Sequence, residues 1–189
     1  MTESDTGATA PYTDAARARV VMAYEACEVA DRARAVVPIG EDELQPDGTT
    51  RSPGAVLADA ARVLAAAQRF LEAAAVFERV GGADWQLIGD VLEVSPHTAR
   101  VRFAMAEAGF RDGLLCPEGI GAAGEVTRLR VCMAREPLET ALDLDDWVRR
   151  HEDGDSDLGT TPVSGGLVRT DPLRPIRQPP RRRPDGRLP

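Results

Sequence analysis

Residues 84–106 read D-W-Q-L-I-G-D-V-L-E-V-S-P-H-T-A-R-V-R-F-A-M-A, and they predict two short helices joined by a tight turn. Asp84 stands as N-cap of the first, from Trp85 to Leu92, because a carboxylate there accepts an otherwise orphaned backbone N–H. Ser95-Pro96 opens the second, with proline at a position where no N–H is needed. This second helix is expected to run to about Ala108 and close at Gly109. Helices joined so closely bury a small, fixed set of positions. Here these are Ile88, Gly89, Leu92, Val94, Ala99 and Phe103, with Gly89 small where the helices cross and Trp85 anchoring the pair to what precedes it.

What precedes it is the strongest periodic signal in the chain. Val56, Ala60, Val63, Ala67, Phe70, Ala74 and Phe77 keep a 4-3-4-3 spacing, and Leu57, Leu64 and Leu71 add a second apolar row. Ser52-Pro53 reads as the start and Gly81-Gly82 as the stop of this helix, predicted over about 53–80. At 1.5 Å per residue it would be roughly 42 Å long. So wide a face needs partners on two sides. One reading is a dimer-forming coiled coil; the other, preferred, is the scaffold helix of a helical domain. Alanine at alternate core positions permits close intrachain packing without specifying a parallel pair.

Upstream, Thr13 reads as an N-cap, and Ala16, Val20, Ala23, Cys27 and Ala30 recur on one helical stripe. That helix should stop near Val37, since Pro38 disfavours the helical conformation in the residue before it. Residues 38–51 read as a Gly-, Pro- and Asp-containing loop with an acidic run at Glu41, Asp42 and Glu43. Downstream, Arg111 to Gly124 is loop-like, and Val126 to Ala134 fits either a helix or the strand of a two-stranded wing reaching back to Leu114-Leu115. Pro137 starts a last helix through Leu144, Trp147 and Val148, ending in Arg149-Arg150-His151 against the negative end of the helix dipole. The expected architecture is all-α: a helical bundle over 13–150 containing a helix-turn-helix at 84–108. Disordered segments are expected over 1–12 and, as an Arg/Pro-rich tail, over 151–189.

Composition agrees with closely packed helices. Apolar residues make up 43% of the chain, yet aromatics only 4%, so the core must be built from Ala, Val and Leu. There is no lysine, which reads as translation from a high-GC genome. Met1 to Ala10 carry neither a basic nor an apolar leader region, and no apolar run approaches membrane-spanning length, so a soluble cytoplasmic protein is expected. Cys27, Cys116 and Cys132 are odd in number and unpaired in spacing, which argues for isolated thiols over a disulfide framework or zinc site.

The run W-Q-L-I-G-D-V-L-E-V-S-P-H-T-A-R-V-R-F, residues 85–103, resembles the helix-turn-helix of sigma-factor region 4 and of homeodomain-like regulators. It is most similar to an actinobacterial group of uncharacterised helix-turn-helix proteins whose second helix reads V-S-R-Q-x-A-x-x-R-F. The resemblance covers some twenty residues strongly, and it implies a second helix lying in the DNA major groove. On that basis Ser95 would cap the helix and touch a phosphate, with Thr98 beside it. His97, Arg100 and Val101 would face base edges, and Ala99 and Phe103 would be core. Arg100 would be the guanine reader, a contact worth about 1–3 kcal/mol of discrimination. Arg102 is expected to pair with an acid on the long helix, Glu72 or Glu78. Three features depart from the pattern: Glu93 replaces the turn glycine, Pro96-His97 replaces Arg-Gln, and three arginines face four acids between Asp84 and Arg111.

The chain carries −8, and the stretch from Gly159 to Pro189 holds seven arginines against two aspartates, leaving −13 on the rest. Phosphate contacts supply most non-specific DNA affinity and need a basic face. Tail arginines, among them Arg181, Arg182 and Arg183, offer that charge if the tail acts as a tethered arm; otherwise it is solvated or folds onto the acidic body. Catalysis is not expected: there is no Gly-rich phosphate loop, G-x-S-x-G or H-E-x-x-H, and Asp143, Asp145 and Asp146 read as a solvated helix face. No cofactor and no metal are expected. Two functions remain: a DNA-binding transcriptional regulator, or a protein–protein adaptor using a degenerate helix-turn-helix and the long apolar helix. The 53–80 helix is the candidate surface for a homodimer or protein partner, and no membrane partner is expected.

Overall fold

A computed structural model describes residues 12–115, 125–152 and 158–167, and these are all-α. Helix α1 spans Asp14–Ala35, α2 Ala55–Val80, α3 Trp85–Val91, α4 Pro96–Leu115, α5 Glu125–Arg135 and α6 Pro137–His151. Thr13 caps α1 by accepting the backbone N–H of Ala16 at 3.2 Å. The connection to α2 contains a 3-10 turn at Glu41–Glu43 and a single antiparallel bridge between Leu44 and Thr50.

α1 and α2 form an antiparallel hairpin, fixed by Glu25 opposite Arg69 and Val21 packed with Ala73. The fully buried positions of α2 are Ala66, Ala73, Ala75 and Val76, while Val63, Ala67, Phe70, Ala74 and Phe77 of the expected stripe are half-buried. Small residues sit where the helices come closest, because only they permit it. The two-sided packing expected of α2 is realised in its C-terminal half alone. There Leu71 and Ala75 meet α3 and α4, whereas Leu57 and Leu64 remain 74% and 60% exposed. α2 also starts later than Ser52-Pro53 implies: Gly54, at φ +90°, turns the chain into a helix beginning at Ala55.

Three clusters make the core. Val20, Ala141, Leu144 and Val163 join α1, α6 and the C-terminal segment. Val21, Ala73, Met133 and Ala134 join α1, α2 and α5. Ala75, Ile88, Ala99 and Phe103 join α2, α3 and α4.

Four expectations are corrected. α4 does not close at Gly109 but continues to Leu115, carrying Phe110 and Leu114 into the second cluster. Residues 126–134 lie within the helix α5, not a strand; Val131, Met133 and Ala134 are buried there, and among the described residues no sheet exists to receive a wing. The third concerns residues 158–167, expected as part of the tail. They pack back on α1 and α6, with Val163 buried and Leu167 against the same cluster. The fourth is Asp145, expected on a solvated face, which is 2% exposed and binds that segment. The remaining tail, Arg181, Arg182 and Arg183 included, and residues 1–11 lie outside the described residues.

Two charged residues buried inside this framework, Arg17 and Glu25, are held by partners from other helices. Arg17 lies buried and donates to the carbonyls of Ala134 and Arg135 at 2.7 and 2.9 Å, closing the C-terminus of α5 from α1. Glu25 is equally buried and takes Arg69 from α2 at 3.2 Å and Arg130 from α5 at 2.6 Å. Neither was singled out by the sequence pattern, because a lone charge on an apolar stripe reads as an interruption of it.

Candidate functional site

The pair α3–α4 stands on the C-terminal half of α2. Asp84 accepts the N–H of Leu87 at 2.8 Å and so caps α3. A four-residue turn, Leu92 to Ser95, then leads to α4. The N–H of Val94 donates to the carbonyl of Gly89 at 2.9 Å, folding the turn back on α3. A Cβ at Gly89 would sit 2.7 Å from the Val94 carbonyl oxygen, so only glycine fits at this crossing. Glu93 adopts φ +56°, the left-handed conformation that glycine takes at least cost.

Ser95 caps α4 as expected: its Oγ accepts the N–H of Thr98 at 3.1 Å. The two hydroxyls also lie 2.8 Å apart, hydrogen-bonded to each other. Both side chains are therefore committed to the helix start, although both are exposed. His97, Arg100 and Val101 are exposed too, while Ala99 and Phe103 are no more than 1% exposed. His97, Val101 and Met105 follow one another at helical spacing along the open side, with Arg100 beside them.

Arg79 and Glu107 bind the unit to α2. The Arg79 guanidinium lies over the Trp85 ring at 4.5 Å and meets Glu107 at 3.0 Å; Arg111 reaches the same carboxylate at 2.9 Å. Burial pushes the Glu107 carboxyl up, but the hydrogen bonds and charges of Arg79 and Arg111 outweigh it and hold the group below its ordinary value. The expected pairing of Arg102 with Glu72 or Glu78 does not form. Glu72 instead meets Arg130 at 3.4 Å, and the Arg102 guanidinium lies over the Phe103 ring at 5.1 Å.

Burial and the neighbouring Asp31 carboxylate push the Cys27 thiol up to about 12, so it stays protonated and donates to Asp31. Cys132 is an exposed free thiol, and Cys116 lies outside the described residues. His151 donates from Nδ1 to the Trp147 carbonyl at 2.8 Å, closing the last turn of α6. Among the described residues no cluster of His, Cys, Asp or Glu could hold a metal ion, and no helix is long and apolar enough to cross a membrane.

No protein-family model, curated protein or solved structure matches this chain.

Proposed function

We propose that α3 and α4 form a DNA-reading helix-turn-helix and that the chain acts as a transcriptional regulator. One observation carries this reading: the inner face of α4 is sealed by Ala99 and Phe103, while His97, Thr98, Arg100 and Val101 stand open on its first two turns. A recognition helix needs that combination, because it must be held rigidly from behind and offer bare side chains to a groove about 12 Å wide. Arg100 is the donor for a guanine edge and Val101 the apolar contact for a thymine methyl. Phosphate neutralisation falls to the arginines after Leu167, since the rest of the chain is acidic.

A second reading, a protein-binding adaptor, is favoured by a different observation. Leu87, Val91, Val101 and Met105 on these same helices are all more than half exposed. Exposed apolar groups beside an acidic body suit a protein partner better than a duplex.

A salt titration of binding to random duplex DNA separates the two. The full chain is compared with one ending at Val168, which keeps the packed segment 158–167. The regulator reading expects the full chain to bind with a Kd of about 10⁻⁵ M at physiological salt, tightening steeply as salt falls, and the shortened chain to bind far less. No binding by either, with both folded, would overturn it in favour of the adaptor. On a selected duplex, Arg100→Ala should cost about tenfold or more in affinity at an unchanged melting temperature.

A further inference from the structure

Between α1, α2, α4 and α5 lies a cleft of about 320 Å³ that shares only Met105 with the surfaces invoked above. Its floor is apolar and deep: Val21, Ala73, Val76 and Val131 are each 5 or 6% exposed, and Phe110 adds an aromatic wall. Its rim is polar, formed by Arg102, Thr127 and the facing pair Arg130–Glu72.

The two rim cations differ in one respect. Arg130 is fully answered: it meets Glu25 at 2.6 Å and Glu72 at 3.4 Å, and donates to the Arg69 carbonyl at 3.2 Å. Arg102 has no carboxylate partner among the described residues; its guanidinium rests only on the Phe103 ring. The rim therefore carries one unanswered positive charge beside an apolar hole. Binding sites for small molecules have this form, a mostly apolar concavity with a few placed polar groups, and this volume lies at the small end of their range.

We infer that the cleft binds a small amphipathic monocarboxylate, its apolar body on the Val21–Val76–Val131 floor and its carboxylate on Arg102. A planar guanidinium fork matches a carboxylate in two parallel hydrogen bonds. An amine would face that same unanswered cation, and a dianion would exceed the single charge available. The volume suits about a dozen non-hydrogen atoms and is too small for a docked helix. This site does not depend on the DNA reading. It has a mechanical link to it nonetheless, since Arg102, Met105, Ala106, Gly109 and Phe110 all belong to α4.

Calorimetric titration of the full chain with phenylbutyrate, phenylbutanol and phenylbutylamine tests it. Phenylbutyrate is expected to bind at one site with a Kd below about 1 mM, the alcohol at least about tenfold more weakly, and the amine not at all. Arg102→Ala should bring phenylbutyrate down to the level of the alcohol, and Ala106→Leu should block both while circular dichroism reports a folded chain. In the unsubstituted protein, nuclear Overhauser contacts from the phenyl protons to the Val76 and Val131 methyls should place the ligand independently of any variant. Absence of saturable binding, absence of those contacts, or a carboxylate preference that survives Arg102→Ala would each overturn the inference.

Discussion

The backbone N–H of Val163 donates to Oδ1 of Asp145 over 2.6 Å, and this bond fastens the C-terminal segment to α6. Ser164 completes the grip: its N–H reaches the same oxygen at 3.1 Å, and its hydroxyl donates to Oδ2. A buried carboxylate left without donors would be costly; with three of them it becomes an anchor.

Acid should loosen that anchor. Burial pushes the Asp145 carboxyl up, but the bonds from Ser164 and Val163, with Arg149 nearby, prevail and hold it below its ordinary 3.8. A depressed folded-state value means the stabilisation is complete above the unfolded-state value and is lost as pH falls below it. Urea midpoints measured at about pH 6 and about pH 3 should therefore converge in Asp145→Asn relative to the parent chain. The variant should also be about 1–3 kcal/mol less stable at the higher pH. An unchanged acid sensitivity would show that the anchor does not contribute. Glu107, depressed in the same direction, supplies part of what remains.

Removing the shared charge of the α1–α2–α5 junction should be more damaging. Glu25→Gln leaves Arg69 and Arg130 facing a neutral amide. Complete burial of both partners would put the cost near 3–5 kcal/mol, and the partial exposure of the two arginines lowers the expectation to about 2–3 kcal/mol. Chemical denaturation reads it directly; a change within about 0.5 kcal/mol would mean the network is idle.

Two alanine substitutions in one region should have opposite signs. Gly89→Ala drives a methyl against the Val94 carbonyl at 2.7 Å and should cost about 2 kcal/mol or more. Gly109→Ala meets nothing within 4 Å inside a continuous helix and should raise stability by about 0.5–1 kcal/mol. The melting temperatures of the pair, taken together, check the crossing geometry at the turn.

Glu93 holds a left-handed backbone conformation that its side chain does nothing to ease. Glu93→Gly should therefore stabilise the chain by about 0.5–1 kcal/mol despite the added freedom of the unfolded state. A lower melting temperature in this variant would contradict the turn geometry.

The α3–α4 crossing was legible because its caps and inner positions agree, Glu93 in the turn aside: Asp84 and Ser95 as caps, Gly89 at the crossing, Ile88, Ala99 and Phe103 inside. Legibility failed where a residue's role depends on a distant partner. Gly109 carries an ordinary stop signal, yet Phe110 and Leu114 gain more by reaching the Val21–Met133 cluster than a helix end there would give. Val126–Ala134 was ambiguous because its few apolar positions fit two periods, and only burial against α1 and α2 decides between them. The segment 158–167 holds three glycines, two threonines, a serine and a proline, so composition reads it as tail. Its attachment depends on Asp145, eighteen residues away from Val163, and no local pattern shows that. Exposure of His97, Arg100 and Val101 follows from the helical period once Ala99 and Phe103 are inside. The loss of the Arg102 ion pair does not, because it turns on Arg130 reaching Glu72 first.

Helix α4 is a single rod from Pro96 to Leu115, unbroken at Gly109. His97 and Phe110 lie thirteen residues apart on it, a span of about 20 Å. Close-packed helices shift as bodies and do not bend by small degrees. A tilt of the rod at the Phe110 end, where it packs on the Val21–Met133 cluster, would be carried to its bare first turns at the other, with the contact of Phe103 on α2 as the pivot between two arms.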